Sequence, residues 1–361
     1  VSDSRTDAWD QAAFREAVQQ ALDAFLDEQR ARLTALGPDA ARLLAEARTS
    51  VTGGKRFRAA FCYWGYRAYR PGHADDDLLV RACAALELLH ASALVHDDLM
   101  DASDTRRGRP STHRGFEAEH QQAGWTGDPE QYGAAAALLL GDLLLGWAGD
   151  MLRHCGLARE QVDAAMSVFQ LCRTEVIAGQ FLDVSVQARA HADVDTAMTV
   201  LRYKSAKYSI ERPLEIGAAL AGATARQVEE LGGFGLPLGE AFQLRDDLLG
   251  VFGDPTATGK PAGDDLVEGK RTVLVAKALA ALDGDDADAR TLDSSLGTPL
   301  DEAAVTRLRE IIDASGAHQQ VEELIGSLAD RAVAALDEAS VDEHARVVLT
   351  QLASAATQRS V

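Results

Sequence analysis

The sequence predicts an all-α fold, and three observations carry that prediction. Apolar residues recur at three- and four-residue spacing along most of the chain. Aromatic residues make up only 6% while alanine and leucine abound, a composition that favours helix over strand. No run of useful length alternates apolar with polar residues, and no internal repeat is visible. With 361 residues, 47% of them hydrophobic, the chain can bury a large core, and a single domain over 1–361 is expected.

The opening amphipathic segment covers 8–35, where Phe14, Val18, Leu22 and Leu26 share one face. Helices are then expected at 38–50, 55–71, 77–103, 131–153 and 159–189. Further ones follow at 193–208, 209–222, 225–252 and 265–283. The last stretch, 301–357, breaks near Ser315-Gly316 and again at Ser340. Three segments read as loops. Thr105 to Tyr132 carries Gly, Pro and Trp125, Gly253 to Gly263 is rich in Gly and Pro, and 284–300 is polar.

Charge and cysteine usage narrow the function. The chain holds 56 acidic against 36 basic residues, a net charge of −20, which argues against nucleic acid or an anionic membrane as partner. Its apolar runs are short and interrupted by charge, so no integral membrane segment is expected and the protein reads as soluble and cytoplasmic. Cys62, Cys83, Cys155 and Cys172 lack CxxC spacing and read as buried, reduced thiols.

The chemistry lies in two acidic clusters set inside apolar helical patterns. One is Asp97-Asp98-Leu99-Met100-Asp101; the other is Phe242-Gln243-Leu244-Arg245-Asp246-Asp247. Carboxylates among leucines are costly unless a positive charge neutralises them. Magnesium ions carrying a polyphosphate-like ligand would do so, since hard oxygen donors suit that ion. On a helix Asp97 and Asp101 sit one turn apart, roughly 5–6 Å, and face the same way. Asp98 points elsewhere. Taken alone, one such cluster reads equally well as a solvated acidic face; two, with cations beside them, do not. Lys55, Arg56 and Arg58 form one basic group and Arg106, Arg107 and Arg109 another. In an acidic protein such groups mark an anion site, and Gly53-Gly54 lets backbone approach that anion. His90, alone an ordinary core histidine, sits two turns before Asp97 on the same face. His96 lies off that face and reads as structural.

The ordered blocks identify the family that the chain resembles. They are Gly53-Gly54-Lys55-Arg56-Phe57-Arg58, Glu87-Leu88-Leu89-His90, the first acidic cluster with Arg106-Arg107-Gly108, Gly179-Gln180-Phe181-Leu182-Asp183 and Lys204-Ser205. The second acidic cluster follows, then Gly259-Lys260-Pro261 running into Gly263-Asp264-Asp265-Leu266 and Glu268-Gly269-Lys270. In this order they resemble the trans-isoprenyl diphosphate synthases (polyprenyl synthetase family). The resemblance implies a helical bundle of the isoprenoid synthase type with a central metal-lined cavity. It implies a Mg2+-dependent prenyltransferase that joins isopentenyl diphosphate to an allylic diphosphate, and a homodimer.

Residue roles follow from the same resemblance. Asp97, Asp101 and Asp246 would bind magnesium. Arg106, Lys204 and Lys260 would pair with the departing diphosphate, Lys260 from a loop suited to closing over it. Lys55, Arg58, His90 and Arg107 would hold isopentenyl diphosphate. The carbonyls of Lys204 and Ser205, with Gln243, would face the carbocation; Gln180 and Asp183 share one helix face nearby. No side chain is evident as base, and the released pyrophosphate is expected to take the proton.

Chain length would be set beneath the first cluster. Ser92 and Ala93 are small and leave the floor open, with Leu89 a turn further down and Trp147 on a neighbouring segment as candidate stops. Geranylgeranyl diphosphate is the expected product, with longer chains or farnesyl diphosphate as alternatives. Three departures from the family pattern stand out. Gly250 replaces the last carboxylate of the second cluster, Ser205 stands where threonine is usual, and Ala59 where proline is usual. Gly250 favours a rival reading as a non-catalytic partner subunit; the intact first cluster and basic set oppose it. A terpene cyclase would instead carry an Asn/Asp-Ser-Glu second motif and need no Lys55–Arg58 block.

Overall fold

A computed structural model of the chain describes residues 9–358, apart from 73, 192, 254–262, 283 and 285. The described residues are almost wholly helical. They pack as two compact units, Val1–Ser167 with Ile216–Ala223 and Val168–Glu215 with Thr224–Val361.

In the first unit, α1 (Gln11–Thr34) starts where the Asp10 carboxylate accepts from the Ala12 and Ala13 amides, and buries Phe14, Val18, Leu22 and Leu26 as their spacing predicts. Next come α2 (Pro38–Ser50), α3 (Phe57–Arg67) and α4 (Asp76–Met100). A two-residue antiparallel pair, β1 (Thr105–Arg106) and β2 (Arg109–Pro110), leads into α5 (Thr112–Ala123) and α6 (Pro129–Arg153). α6 carries Asp128 as cap and Pro129 in its first turn, a favoured start for a helix. α4 is the central element, packed on α1, α3, α5 and most extensively α6. Against the expectation of short, charge-interrupted apolar runs, two helices among the described residues, α4 and α6, are long and apolar enough to cross a membrane by length and composition alone. The apolar window of α4 is 72% buried within the protein and that of α6 is 44% buried.

The helix α7 (Arg159–Arg189) begins in the first unit and continues into the second. There follow α8 (Val194–Leu201), a π-helical segment (Arg202–Glu211), α9 (Arg212–Ala221) and α10 (Ala225–Phe252). A capping box between Thr224 and Gln227 opens α10. The remaining helices are α11 (Asp264–Val267), α12 (Val273–Ala281), α13 (Ala287–Ser295), α14 (Glu302–Ala314), α15 (Ala317–Glu338) and α16 (Glu343–Thr357). α10 is the core of this unit. Leu244, Leu248 and Val251 are buried with Leu266, Val273, Ile311, Ile312 and Val321.

Four expectations need correction. The segment read as loop from Thr105 to Tyr132 contains the hairpin and α5. The buried face of α5 is Thr112, His113, Phe116 and His120, helically spaced but mostly polar, so an apolar count misses it. The polar 284–300 stretch holds α13, capped by Asp286. The expected helix 265–283 is two, parted at Gly269, whose φ of +77° is left-handed and ends α11. The boundary expected at 208/209 is instead a continuous π turn across 202–211, a variant that side-chain periodicity does not announce.

Candidate active site

The first unit gathers its site on one face of α4. His90, Ala93, Leu94, Asp97 and Asp101 are each partly exposed, whereas Ala91, Ser92, Val95 and Asp98 between them are buried. The Asp101 amide donates to the Asp97 carbonyl at 2.8 Å, which fixes both carboxylates on successive turns of that stripe. Ala93 therefore shares the stripe, one turn before Asp97. Ser92 does not: its hydroxyl donates to the Gly141 carbonyl of α6 at 2.8 Å. Gly141 is required there, because a Cβ would lie 2.0 Å from His96 Nε2. His96 is structural, with Nε2 3.1 Å from the Leu138 carbonyl. Leu89 is 2% exposed, and Trp147 is buried edge-on against Phe25.

The hairpin carries the adjacent arginines. Residues 107 and 108 form its two-residue turn, with φ of 54° at Arg107 and 72° at Gly108, the left-handed pair of a type I′ turn. Arg106 reaches the buried Asp98, its Nε 2.9 Å from Oδ1. Arg107 turns the other way and donates to the Thr52 carbonyl at 2.8 Å. Its guanidinium lies against Gly54, where a Cβ would stand 3.2 Å from Nη2 and where φ is +96°. Arg56, grouped in the sequence with the anion-binding cations, has a structural partner. It pairs with Glu87 at 3.0 Å in the interior and donates to Gln19. A buried pair of this kind must be kept whole, since either charge alone would be strongly destabilising.

These guanidiniums set the electrostatics. Burial holds His90 well below its usual range, and the charges of Arg58, Arg107, Arg106 and Arg56 add to that, so its imidazole is neutral. Burial and the Arg56 charge likewise push Arg107 down. A neutral ring among four cations is a site built for an anion, with the imidazole N–H as a further donor.

The second unit holds its own group of candidate residues. Lys204 Nζ lies 2.5 Å from Asp183 Oδ2, joining the π segment to α7. Ser205 is the next residue of that segment. Gln180, one turn before Asp183, has a buried side-chain Nε2 with no hydrogen-bond partner among the described residues. The π segment is wedged between glycines. A Cβ at Gly179 would lie 2.3 Å from the Lys204 amide, and one at Gly239 would lie 2.4 Å from the Ala206 carbonyl. Arg212 anchors its far end, reaching Glu175 at 2.7 Å and also Glu215. On α10, Gln243 donates to Asp247 at 2.8 Å. Burial, then the Asp265 charge, pushes Asp247 up to about 8, so its carboxyl is largely protonated at neutral pH. Asp246 stays partly exposed one residue away. Lys260, with Gly259 and Pro261, lies outside the described residues.

Among the described residues no three His, Cys, Asp or Glu side chains converge as a closed metal cage. The donors present are carboxylates, partly exposed and two at a time. That set suits magnesium, which keeps waters and completes its shell from phosphate oxygens, and does not suit a structural zinc.

Residues 41–314 match the Polyprenyl synthetase family. A geranylfarnesyl diphosphate synthase of Aeropyrum pernix is 34% identical over 268 residues, covering 73% of this chain and 77% of its own. A (2E,6E)-farnesyl diphosphate synthase of Mycobacterium tuberculosis is 34% identical over 227 residues, 63% of this chain and 57% of its own. A crystal structure of a geranylgeranyl pyrophosphate synthase from Corynebacterium glutamicum, complexed with isoprenyl diphosphate and magnesium, superposes with a TM-score of 0.94. That protein is 40% identical, and the match covers 98% of this chain and all of the other.

Proposed function

Because the chain belongs to the polyprenyl synthetase family, we propose that it is the trans-prenyltransferase that makes geranylgeranyl diphosphate. Isopentenyl diphosphate and an allylic diphosphate are its substrates. The observation that carries this reading is the stripe of His90, Ala93, Asp97 and Asp101 on α4, flanked by the guanidiniums of Arg58, Arg106 and Arg107. The product names among relatives range from farnesyl to geranylfarnesyl, so length is argued from this chain's own residues. The small Ala93 beneath Asp97 leaves room for a growing tail, and the buried Leu89 lies further down.

In this reading Asp97, Asp101 and Asp246 hold Mg2+, the ion present in the C. glutamicum complex. Magnesium, when bound, neutralises the allylic diphosphate and stabilises the charge it gains on leaving. Arg106, Lys204 and Lys260 pair with that departing group, and Lys204 exchanges its Asp183 partner for it. Lys55, Arg58, His90 and Arg107 bind the diphosphate of isopentenyl diphosphate, where forked guanidinium donors match phosphate oxygens. The backbone carbonyls of Lys204 and Ser205 and the amide oxygen of Gln243 face the allylic cation and stabilise it as charge develops. The double bond of isopentenyl diphosphate forms the new C–C bond, and a proton leaves to the released pyrophosphate. Gln180 offers a buried amide N–H that has no hydrogen-bond partner among the described residues.

Residues 1–361 are read as one functional domain, because the family match runs through residues 41–314 without interruption. A homodimer is proposed from the exposed apolar side chains Leu138 and Leu139 on α6, and Ile177 and Phe181 on α7. Four buried free cysteines accord with a reducing cytoplasm. The test is product analysis with magnesium, isopentenyl diphosphate and dimethylallyl, geranyl or farnesyl diphosphate supplied separately. A twenty-carbon diphosphate is expected. Farnesyl diphosphate as end product would move the stop above Leu89, and no elongation from any starter would overturn the reading.

A further inference from the structure

We propose that Glu175 is a positioning residue that keeps the backbone carbonyls of Lys204 and Ser205 in place while the allylic cation exists. This rests on the reading of those carbonyls as groups that face the cation. On that reading Lys204 gives up Asp183 for the departing diphosphate, so this tie between the π segment and α7 is released as positive charge develops. Glu175 supplies a tie that the reaction does not use.

Three positions of α7, each about one helical turn from the next, meet the π segment. Asp183 takes Lys204 Nζ at 2.5 Å. At Gly179 backbone meets backbone, since a Cβ there would stand 2.3 Å from the Lys204 amide nitrogen and 2.5 Å from the Tyr203 carbonyl carbon. Glu175 takes the far end, its Oε2 2.7 Å from Arg212 Nε and its Oε1 2.9 Å from Nη2. Carboxylate, glycine and carboxylate form one stripe, because residues four apart share a helix face. The glycine lets Lys204 approach, and the carboxylates pin the segment on either side of that contact.

Geometry separates Glu175 from the carboxylates around it. Arg212 also pairs with Glu215, and Lys207 pairs with Glu211 at 3.0 Å, but both of these pairs are internal to the stretch 207–215. Glu175 reaches across from α7, and two parallel bonds to a planar guanidinium fix angle as well as distance. Lys207 Nζ adds a contact to it at 3.7 Å. The side chains of Glu175 and Arg212 are 13% and 10% exposed, so water competes little for the pair. On its other side the segment meets α10, where a Cβ at Gly235 would lie 2.8 Å from the Glu211 Cα and one at Gly239 2.4 Å from the Ala206 carbonyl oxygen. Held between two helices, the segment takes its register along α7 from Glu175.

Binding of a cation mimic tests this without turnover. The probes are an allylic diphosphate analogue with a tertiary ammonium nitrogen in place of the cationic carbon, and its neutral carbon isostere. Each is titrated calorimetrically into the full chain with MgCl2. Both carry the same diphosphate, so the ratio of their dissociation constants reports on the groups around the charge. Wild type is expected to prefer the ammonium probe. Glu175→Gln is expected to reduce that preference roughly tenfold, part of what a misplacement of about 1 Å can cost, with affinity for the neutral probe retained. Arg212→Lys keeps the charge but not the fork, and should reduce the preference as well. Glu215→Gln removes a carboxylate from the same cluster without touching the tie to α7, and should keep the wild-type ratio. A wild-type protein with no preference would overturn the reading of the carbonyls and this inference with it. A wild-type preference kept in either Glu175→Gln or Arg212→Lys would overturn the role of Glu175 and leave that reading standing. An equal loss in Glu215→Gln would trace the effect to buried charge rather than position, and would also overturn the role of Glu175.

Discussion

At the residue scale, α4 shows how one position separates packing from chemistry. Ala93 lies on the partly exposed stripe with Asp97, whereas Ser92 is spent on the Gly141 carbonyl. Ala93→Phe should therefore shorten the product toward farnesyl diphosphate with the fold intact, read by chromatography of the dephosphorylated alcohols. Ser92→Phe should instead cost about 1–3 kcal/mol by overpacking α6, read by urea denaturation. An unchanged product in Ala93→Phe would remove that residue from the floor. Asp247 gives a pH signature. Its folded value, about 8, lies above its ordinary 3.8, so folding favours the protonated form. The stability this contributes is complete below 3.8 and is lost as pH rises to about 8. Metal-free protein should unfold at lower temperature at pH 8.5 than at pH 6, and Asp247→Asn should flatten that slope. An undiminished slope in Asp247→Asn would assign it to another group. Both aspartate motifs and most of the cations were legible in the sequence, because charge inside an apolar pattern is conspicuous. The employment of Arg56 by Glu87 was not, since partners 31 positions apart leave no local trace.

At the element scale, the π segment decides where Lys204 and Ser205 present their backbone. A π turn is wider than an α turn, and its neighbours concede the width with Gly179 and Gly239 rather than with side chains. Gly239→Ala would push on the Ala206 carbonyl. We expect it to cost about 1–3 kcal/mol of stability and to lower kcat far more than it raises KM for either substrate. Steady-state kinetics with unfolding curves checks this; an unaltered kcat would separate the segment's geometry from catalysis. Long helices such as α1, α4 and α10 were legible because their buried residues are apolar and regularly spaced. α5 was not, because it buries two histidines and a threonine. The π turn was not either, because a one-residue slip in hydrogen bonding leaves side-chain composition unchanged.

At the scale of the whole molecule, the chain carries a net charge of −20 and yet concentrates positive charge locally. Several of its guanidiniums flank His90 on α4. Its apolar residues are less thoroughly used: Phe181 is 70% exposed and Ile177 57% exposed on α7, with Leu139 57% exposed on α6. Burying such side chains is worth about 1.5–3 kcal/mol each, a sufficient reason for a second copy to cover them. Phe181→Asp should convert a two-chain species to one chain at micromolar concentration, measured by sedimentation velocity. A wild-type protein that already sediments as one chain would refute the dimer. The all-α class was plain from composition and periodicity. The division into two units was not, because α7 and α9 run on through the boundary without a compositional break.

The hairpin after α4 has one more consequence. Arg106 and Arg107 are neighbours in sequence, yet one turns to Asp98 and the other to Thr52. On the proposed roles, the first attends the substrate that loses its diphosphate and the second the substrate that keeps it. A single peptide unit, about 3.8 Å between Cα atoms, then acts as a caliper whose jaws are two guanidiniums. On those roles, lengthening the turn by one residue would displace both guanidiniums at once.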